Sequence, residues 1–405
     1  MKIFRYLKSL PLQIALAVLI GIVLHPFLDI LIVQFSYSFS VALKDILMLA
    51  LPILIFFYLA ASLSSFKNVA PLMVVGLFAL VACSNALSVL TAYVVGSWTL
   101  GAICGTQVIA LTNATEPLPL LFSFPLRPFI QNEWALFAGI TTGLIATRIP
   151  SQYQIPLIGF INSGRECATR VLRTVFLPVL PLYVLGFAMK FMHDGSLFML
   201  LKSYSKVFLL SSSLVVIYIT FLYWVGAGFS ASKAGRAIKN MLPAGLAGFS
   251  TMSSAIAMPV TLAATEKNMK GDTTYTQFVV PATANIHMMG DGISITLTAL
   301  SLLYMSQCGL PSFETYLLFT FYYCIAKFSA AGVPAGGVIV VLPVVEKYLG
   351  LSPDLTTLVA TIYIMQDTFA TGSNVMGNGA FAMITQKIFK QIGWHKPDVT
   401  DSSPR

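Results

Sequence analysis

Asp367, Thr371, Asn374 and Asn378 recur at steps of four, three and four residues inside the stretch DTFATGSNVMGNGAFAMI. On a helix that spacing puts a carboxylate, a hydroxyl and two amides on one face. The opposite face is expected to pack through Met376 and Phe381. A second polar group, Asn285, His287 and Asp291, sits in TYTQFVVPATANIHMMGDGISITLTALSLLYMSQ, an apolar run of spanning length. A third, Ser250, Thr251, Ser253 and Ser254, interrupts LPAGLAGFSTMSSAIAMPVTLAAT ahead of Pro259. Ionisable groups inside a membrane are expensive and mark substrate or ion paths. The pattern is one of binding and not of covalent catalysis. The four histidines (His25, His193, His287, His395) are far apart, and no nucleophile–base pair or metal cluster is apparent. The five cysteines form no CxxC pair and read as small packing residues. No enzyme activity and no cofactor beyond a coupling ion is expected.

The elements that must hold these residues are membrane helices. The chain has 405 residues, 57% hydrophobic and 10% charged, with mean hydropathy +0.83. A soluble domain carries about 25% charged residues. Strand-like alternation is absent, so an all-α bundle is the spanning option that remains. The net charge of +9 does not point to nucleic acid. Lys and Arg cluster at Lys2, Arg5 and Lys8, at Arg165, Arg170 and Arg173, around Lys233 to Lys239, at Lys267 and Lys270, and at Lys387, Lys390 and Lys396. That is the distribution of cytoplasmic loops. It predicts both termini in the cytoplasm, an even number of crossings, and residence in the cell inner (plasma) membrane. The segments 25–38, 98–132 and 306–313, poor in Lys and Arg, are expected outside. The N-terminal apolar run is too long for a signal peptide and lacks a small-residue cleavage site. Asn113-Ala114-Thr115 matches a glycosylation sequon without other support.

Spans are expected at about 11–33, 39–64, 69–97, 133–148, 171–193 and 205–228. Beyond them the pattern changes. Basic residues flank the Ser-rich segment on both sides, Lys239 before and Lys267 and Lys270 after. A single crossing would separate them across the bilayer; a re-entrant hairpin, about 236–265, keeps both ends on one side. A second hairpin, about 313–349, centres on SAAGVPAGGV with Pro334. Two Pro/Gly/Ser-interrupted segments in corresponding positions point to a transporter core built of repeats. Two ordinary kinked helices are the alternative.

Four motifs then carry a resemblance. SSAIAMPVT (Ser253 to Thr261), NIHMMGDG (Asn285 to Gly292), SAAGVPAGGVIVVLPVV (Ser329 to Val345) and DTFATGSNVMGNG (Asp367 to Gly379) resemble, in order and spacing, the dicarboxylate/amino acid:cation symporters, the glutamate transporter family. The resemblance implies about eight transmembrane helices plus two re-entrant hairpins, inverted repeats, a homotrimer and elevator-type movement in lipid. It implies a scaffold of residues 1–68 and 98–194, a transport domain of residues 69–97 and 195–390, and a cytoplasmic tail of residues 391–405. It also implies a substrate site of Asp367, Thr371 and Asn374 with the hairpin-tip residues Ser253, Ser254, Val333 and Gly337, and a cation set drawn from Asn285, His287, Asp291 and Asn378.

The departures set the expected function. Asp367 matches the aspartate that binds the substrate's α-amino group, a charge-assisted contact. A structural lysine partner is the alternative, and the neighbouring motifs contain none. The arginine that grips a side-chain carboxylate is replaced by Ala370, and Met252 occupies its other usual place. The family's cation-binding aspartates correspond to Asn378 and His287, with Asp291 one turn on. The resemblance with these changes implies sodium- or proton-coupled symport of a serine-, alanine- or threonine-like amino acid. A glutamate, aspartate or C4-dicarboxylate symporter, and a non-concentrative channel or receptor, are the alternatives.

Overall fold

The computed structural model describes residues 10–64, 71–105, 118–124, 126, 129–195, 197–270, 272–306, 308–330 and 334–393. Lys2, Arg5, Lys8, Lys396, His395, the Asn113 sequon, Val333 and nearly all of the predicted tail lie outside them. The described residues are all-helical. In chain order the helices are α1 Leu10–Leu24, α2 Ile30–Ser64, α3 Pro71–Cys104, α4 Asn132–Ala146, α5 Ser151–Val171, α6 Leu177–His193, α7 Leu197–Gly226, α8 Ala231–Thr251, α9 Ser254–Asn268, α10 Thr273–Thr283, α11 Met289–Met305, α12 Phe313–Lys327, α13 Gly336–Ile339, α14 Leu342–Leu349 and α15 Pro353–Gln391.

Among the described residues two helical segments are long and apolar enough to cross a membrane by length and composition, Met73–Cys104 and Tyr204–Gly226. A third candidate is the pair Ser151–Phe176 and Pro178–His193, bent by 51°. The physical reasons are local. The expected boundary near residues 33–39 lies instead at His25–Phe27, a 3-10 turn containing Pro26, so residues 30–38 are helical and not an outside loop. The expected fifth span begins earlier, because α5 runs through a π turn, Leu172–Phe176, into α6 ahead of Pro178. The span expected around His287 is broken between α10 and α11.

Both expected hairpins are formed by paired helices. α8 and α9 pack on one another across a two-residue turn. Met252 adopts a left-handed conformation (φ 50°) and its N–H donates to the Gly248 carbonyl, closing α8. Ser253 is extended, and its hydroxyl accepts from Ile256 N at 3.3 Å, opening α9. At the hairpin base Asn240 donates to Asn268 Oδ1 at 2.8 Å. In the second hairpin α12 packs on α14, and the described part of the tip includes Ala335 at φ 60°.

The break between α10 and α11 exposes backbone groups that need partners at membrane depth. Asn85 of α3 supplies two: Nδ2 donates to Ile286 O at 2.8 Å, and Oδ1 accepts from Met288 N at 3.0 Å. Helix contacts fall into two sets. α2 packs on α4, α5 and α6, and α6 on α1, whereas α3, α7 and the helices from α8 onward gather around α11 and α15.

Small residues set the closest approaches. A Cβ on Gly143 of α4 would lie 2.7 Å from Leu63 Cβ and 3.0 Å from the Ala60 carbonyl of α2, whereas one on Gly235 meets nothing within 4 Å. Overpacking of this kind costs about 1–3 kcal/mol. Gly143→Leu is therefore expected to lower the melting temperature of the purified protein in detergent and Gly235→Leu to leave it unchanged or higher; differential scanning fluorimetry checks both.

Candidate functional site

The polar face of α15 meets the broken helix and the second hairpin in a sealed cluster. Asp291, in the first turn of α11, and Lys327, the last residue of α12, are both fully buried and lie 2.7 Å apart. Each sits at the helix end whose dipole favours its charge. The Lys327 ammonium also donates to the Gly337 carbonyl at 2.8 Å. The other Asp291 oxygen accepts from Tyr363 OH at 2.8 Å and from Asn374 Nδ2 at 2.7 Å.

Asn374 does a second job. Its Oδ1 accepts from the N–H groups of Gly290 (2.8 Å) and Asp291 (3.3 Å), capping α11 from another helix. Asp367 accepts from Ala335 N at 2.7 Å, Thr371 Oγ1 at 2.9 Å and Tyr363 OH at 3.2 Å. Tyr363 has one hydroxyl proton, shared between the two carboxylates and nearer Asp291, so the full donors to Asp367 are the Ala335 N–H and the Thr371 hydroxyl, neither of them charged. Gly337 has to be glycine, because a Cβ there would overlap the Asp291 carboxylate.

One turn along α15 lies a second polar layer. His287, in the helix break, has Nδ1 2.7 Å from Asn378 Oδ1 and Nε2 2.8 Å from Ser84 Oγ. The amide oxygen only accepts, so Nδ1 carries a proton toward it, and Nε2 pairs with the Ser84 hydroxyl. Phe381 stacks on the imidazole at 4.2 Å, on the side of Asn378 and not on the opposite face. Met376 does pack away, beside Gly245 of α8.

Among the expected site residues, Asp367, Thr371, Asn374, Gly337 and Asp291 are brought into one network, and His287 and Asn378 into the adjoining one. Ala370 is fully buried, with its carbonyl 3.1 Å from where a Gly290 Cβ would lie. Ser253 and Ser254 are buried at the first hairpin's tip, whose Gly248 approaches the Thr371 carbonyl. Asn285 stands apart from both networks, half-buried with an unpartnered Oδ1. The neighbouring motifs hold no lysine, but Lys327 stands two residues before the SAAGVPAGGV motif and was missed. Its partner is Asp291, reached across 36 positions. Tyr363, Asn85 and Ser84 were also missed. Tyr363 is four residues before Asp367 and extends the same face; Lys327 is a lone cation within an apolar run, a signal in its own right.

The sequence matches the profile of the sodium:dicarboxylate symporter family over residues 10–388, and the chain belongs to that family of membrane transporters. It is similar to excitatory amino acid transporter 3 of Homo sapiens, 23% identical over 252 residues, covering 62% of this chain and 47% of the relative. It is also similar to excitatory amino acid transporter 1 of Ambystoma tigrinum, 30% identical over 151 residues, covering 37% of this chain and 27% of that protein. The matched segment thus spans less than half the length of either relative.

The family's description implies sodium, a hard cation that wants oxygen ligands. The oxygens here are otherwise engaged. Both Asp291 oxygens face donors, one of them an ammonium, and Asn378 Oδ1 is taken by His287. A sodium ion does not fit at these residues as arranged; Asn285 Oδ1 alone is buried without a partner among them.

Tyr363→Phe deletes the donor shared by Asp291 and Asp367. Leaving buried acceptors short of a donor costs about 1–3 kcal/mol. The variant is expected to unfold at lower denaturant or temperature than the wild type, which a ligand-free melt measures.

Proposed function

We propose that the protein is a cation-coupled symporter of a small neutral amino acid, with Asp367 as the seat of the substrate's ammonium. The observation that carries this reading is the charge count of the sealed cluster. Counted as ionised, Asp291 and Asp367 bring two negative charges and Lys327 one positive, and the ammonium's salt bridge is to Asp291. Asp367 is the carboxylate left for a cationic group, and a ligand ammonium supplies one by a charge-assisted hydrogen bond. The α-carboxylate would meet backbone N–H groups and hydroxyls around Ser253 and Ser254, with Thr371 beside them and Val333 and Gly337 on the second hairpin.

The preference for a neutral side chain rests on the two positions where the family resemblance implies a guanidinium group. Ala370 and Met252 stand where guanidinium groups are expected for acidic substrates, and both are buried. A second carboxylate would find Lys327 already paired. Burying it without a partner costs several kcal/mol. The family description, which names dicarboxylates, favours an acidic substrate, and the same assay decides between the two.

The architecture that goes with this reading is a multi-pass protein of eight spans and two re-entrant hairpins built of inverted repeats, with both termini cytoplasmic. The set of helices around α2 would be the scaffold and trimer-forming part. The set around α11 and α15 would be the transport domain that moves as an elevator.

Uptake into liposomes under imposed sodium or proton gradients, with a panel of labelled amino acids, tests the function. Concentrative uptake separates a symporter from a channel. Serine or alanine is expected to be taken up in preference to glutamate or aspartate; displacement of labelled serine by glutamate at much lower concentration reverses the assignment. Asp367→Asn keeps the shape and much of the hydrogen bonding but loses the charge. Truncating one member of a buried charge pair costs about 2–5 kcal/mol. Uptake is therefore expected to fall by about two orders of magnitude or more in a variant whose melting temperature stays close to wild type. Normal uptake by well-folded Asp367→Asn would remove Asp367 from the substrate site.

A further inference from the structure

The ammonium of Lys327 is held as a bound cation is held. Its partners come from outside its own helix: a carboxylate oxygen of Asp291 at 2.7 Å, the main-chain carbonyl of Gly337 at 2.8 Å, and the Met288 thioether at 3.9 Å. The Tyr323 ring lies below it at 5.3 Å. The side chain has no exposure. A carboxylate, a carbonyl, a soft sulfur and an aromatic face are all groups that attract a monovalent cation.

The surroundings are built for that charge at that point. Gly337 brings its peptide against Asp291 only because it lacks a Cβ. Lys327 closes α12, and Asp291 opens α11, so two helix ends of opposite polarity face each other across the ion pair. Removing one member of a buried pair leaves an uncompensated charge, whereas removing both can be close to neutral.

We propose that Lys327 is the resident cation of the junction between the second hairpin and α11, filling with a covalently attached charge a position that would otherwise take a free monovalent cation. The junction is then closed by the protein's own ammonium, and no alkali ion is bound between Asp291 and Gly337. A tethered charge also needs no translational freedom to be surrendered on closure. The inference concerns the protein without substrate, so it stands or falls separately from the amino-acid reading.

The test is rescue by a free cation. Lys327→Ala removes the ammonium and leaves room beside Asp291. Purified wild type, Lys327→Ala and the double variant Lys327→Ala with Asp291→Asn are melted in choline chloride and in titrations of sodium, potassium and methylammonium chloride. A ligand that binds only the folded state raises its stability with concentration. Lys327→Ala is expected to melt lower than wild type in choline and to rise by several degrees, saturably, with at least one of the small cations. Wild type and the double variant are expected to show no such rise. A Lys327→Ala response no larger than that of the double variant, or a wild-type response equal to that of Lys327→Ala, overturns the proposal. If Lys327→Ala cannot be purified folded even when those cations are present throughout, the proposal is likewise overturned, since a free cation then does not replace the tethered one. A folded Lys327→Met/Asp291→Asn protein, insensitive to the cations, keeps that outcome distinct from a general intolerance of change at these positions.

Discussion

Buried charge must be answered by buried charge or by hydrogen bonds, and in this protein three ionisable side chains share one sealed space. Asp291, Lys327 and Asp367 come from three elements that are distant in sequence, and the fold around them follows from keeping each of them partnered. The break between α10 and α11 puts Asp291 at a helix N-terminus, where an anion is favoured. The second hairpin ends its first arm on Lys327, where a cation is favoured. Asn374 then closes the arrangement. One end of its amide caps α11 and the other holds the Asp291 carboxylate, so the same side chain satisfies the broken backbone and the charge it exposes.

The second polar layer obeys the same rule through hydrogen bonds alone. His287 takes a position where the family resemblance implies a cation ligand, yet both ring nitrogens are committed, one to Asn378 and one to Ser84, and its face is covered by Phe381. An imidazole with two good hydrogen bonds and an aromatic neighbour is stable without water. Asn85 performs the matching service for the main chain by bonding Ile286 and Met288 on either side of it. α3 is therefore tied to the helix break by two adjacent residues, Ser84 and Asn85, and packs with the helices around α11 although it lies far from them in sequence.

How much of this could be read in advance depended on how local the signal was. The face Asp367, Thr371, Asn374 and Asn378 was readable because the helix period is a property of neighbouring residues. The first hairpin was readable because its Ser-rich tip and its flanking lysines lie on one stretch. The expected eight spans were less so: Pro26, the π turn before Pro178 and the break at His287 shift or divide helices in ways hydropathy does not register. The Lys327–Asp291 pair was missed for a different reason. FETYLLFTFYYCIAK ends in one lysine whose partners are not local: only the return of the hairpin brings Gly337 and Asp291 to it. Tyr363 lies four residues before Asp367, but nothing beside it in sequence announces that its hydroxyl would reach two carboxylates.

The charge count also constrains how many ions accompany a substrate. With Asp291, Lys327 and Asp367 all ionised, the closed cluster carries one net negative charge. A zwitterionic amino acid would add none: on the proposed reading its ammonium would meet Asp367, and its carboxylate would have to be met by N–H dipoles at the hairpin tips. One further monovalent cation, or one proton, brings the loaded cluster to neutrality, the condition for carrying it through a low-dielectric barrier at least electrostatic cost. A dicarboxylic amino acid would add one more negative charge and so require a second cation, with no guanidinium at residue 370 to share the load. An arginine at residue 370 would alter this balance, because it would neutralise the cluster before any substrate arrived and leave the side-chain carboxylate of an acidic substrate as the charge to be matched. On the proposed reading Ala370 and Lys327 are a single choice: the one fixed cation is placed on Asp291, and Asp367 would be left for the ligand.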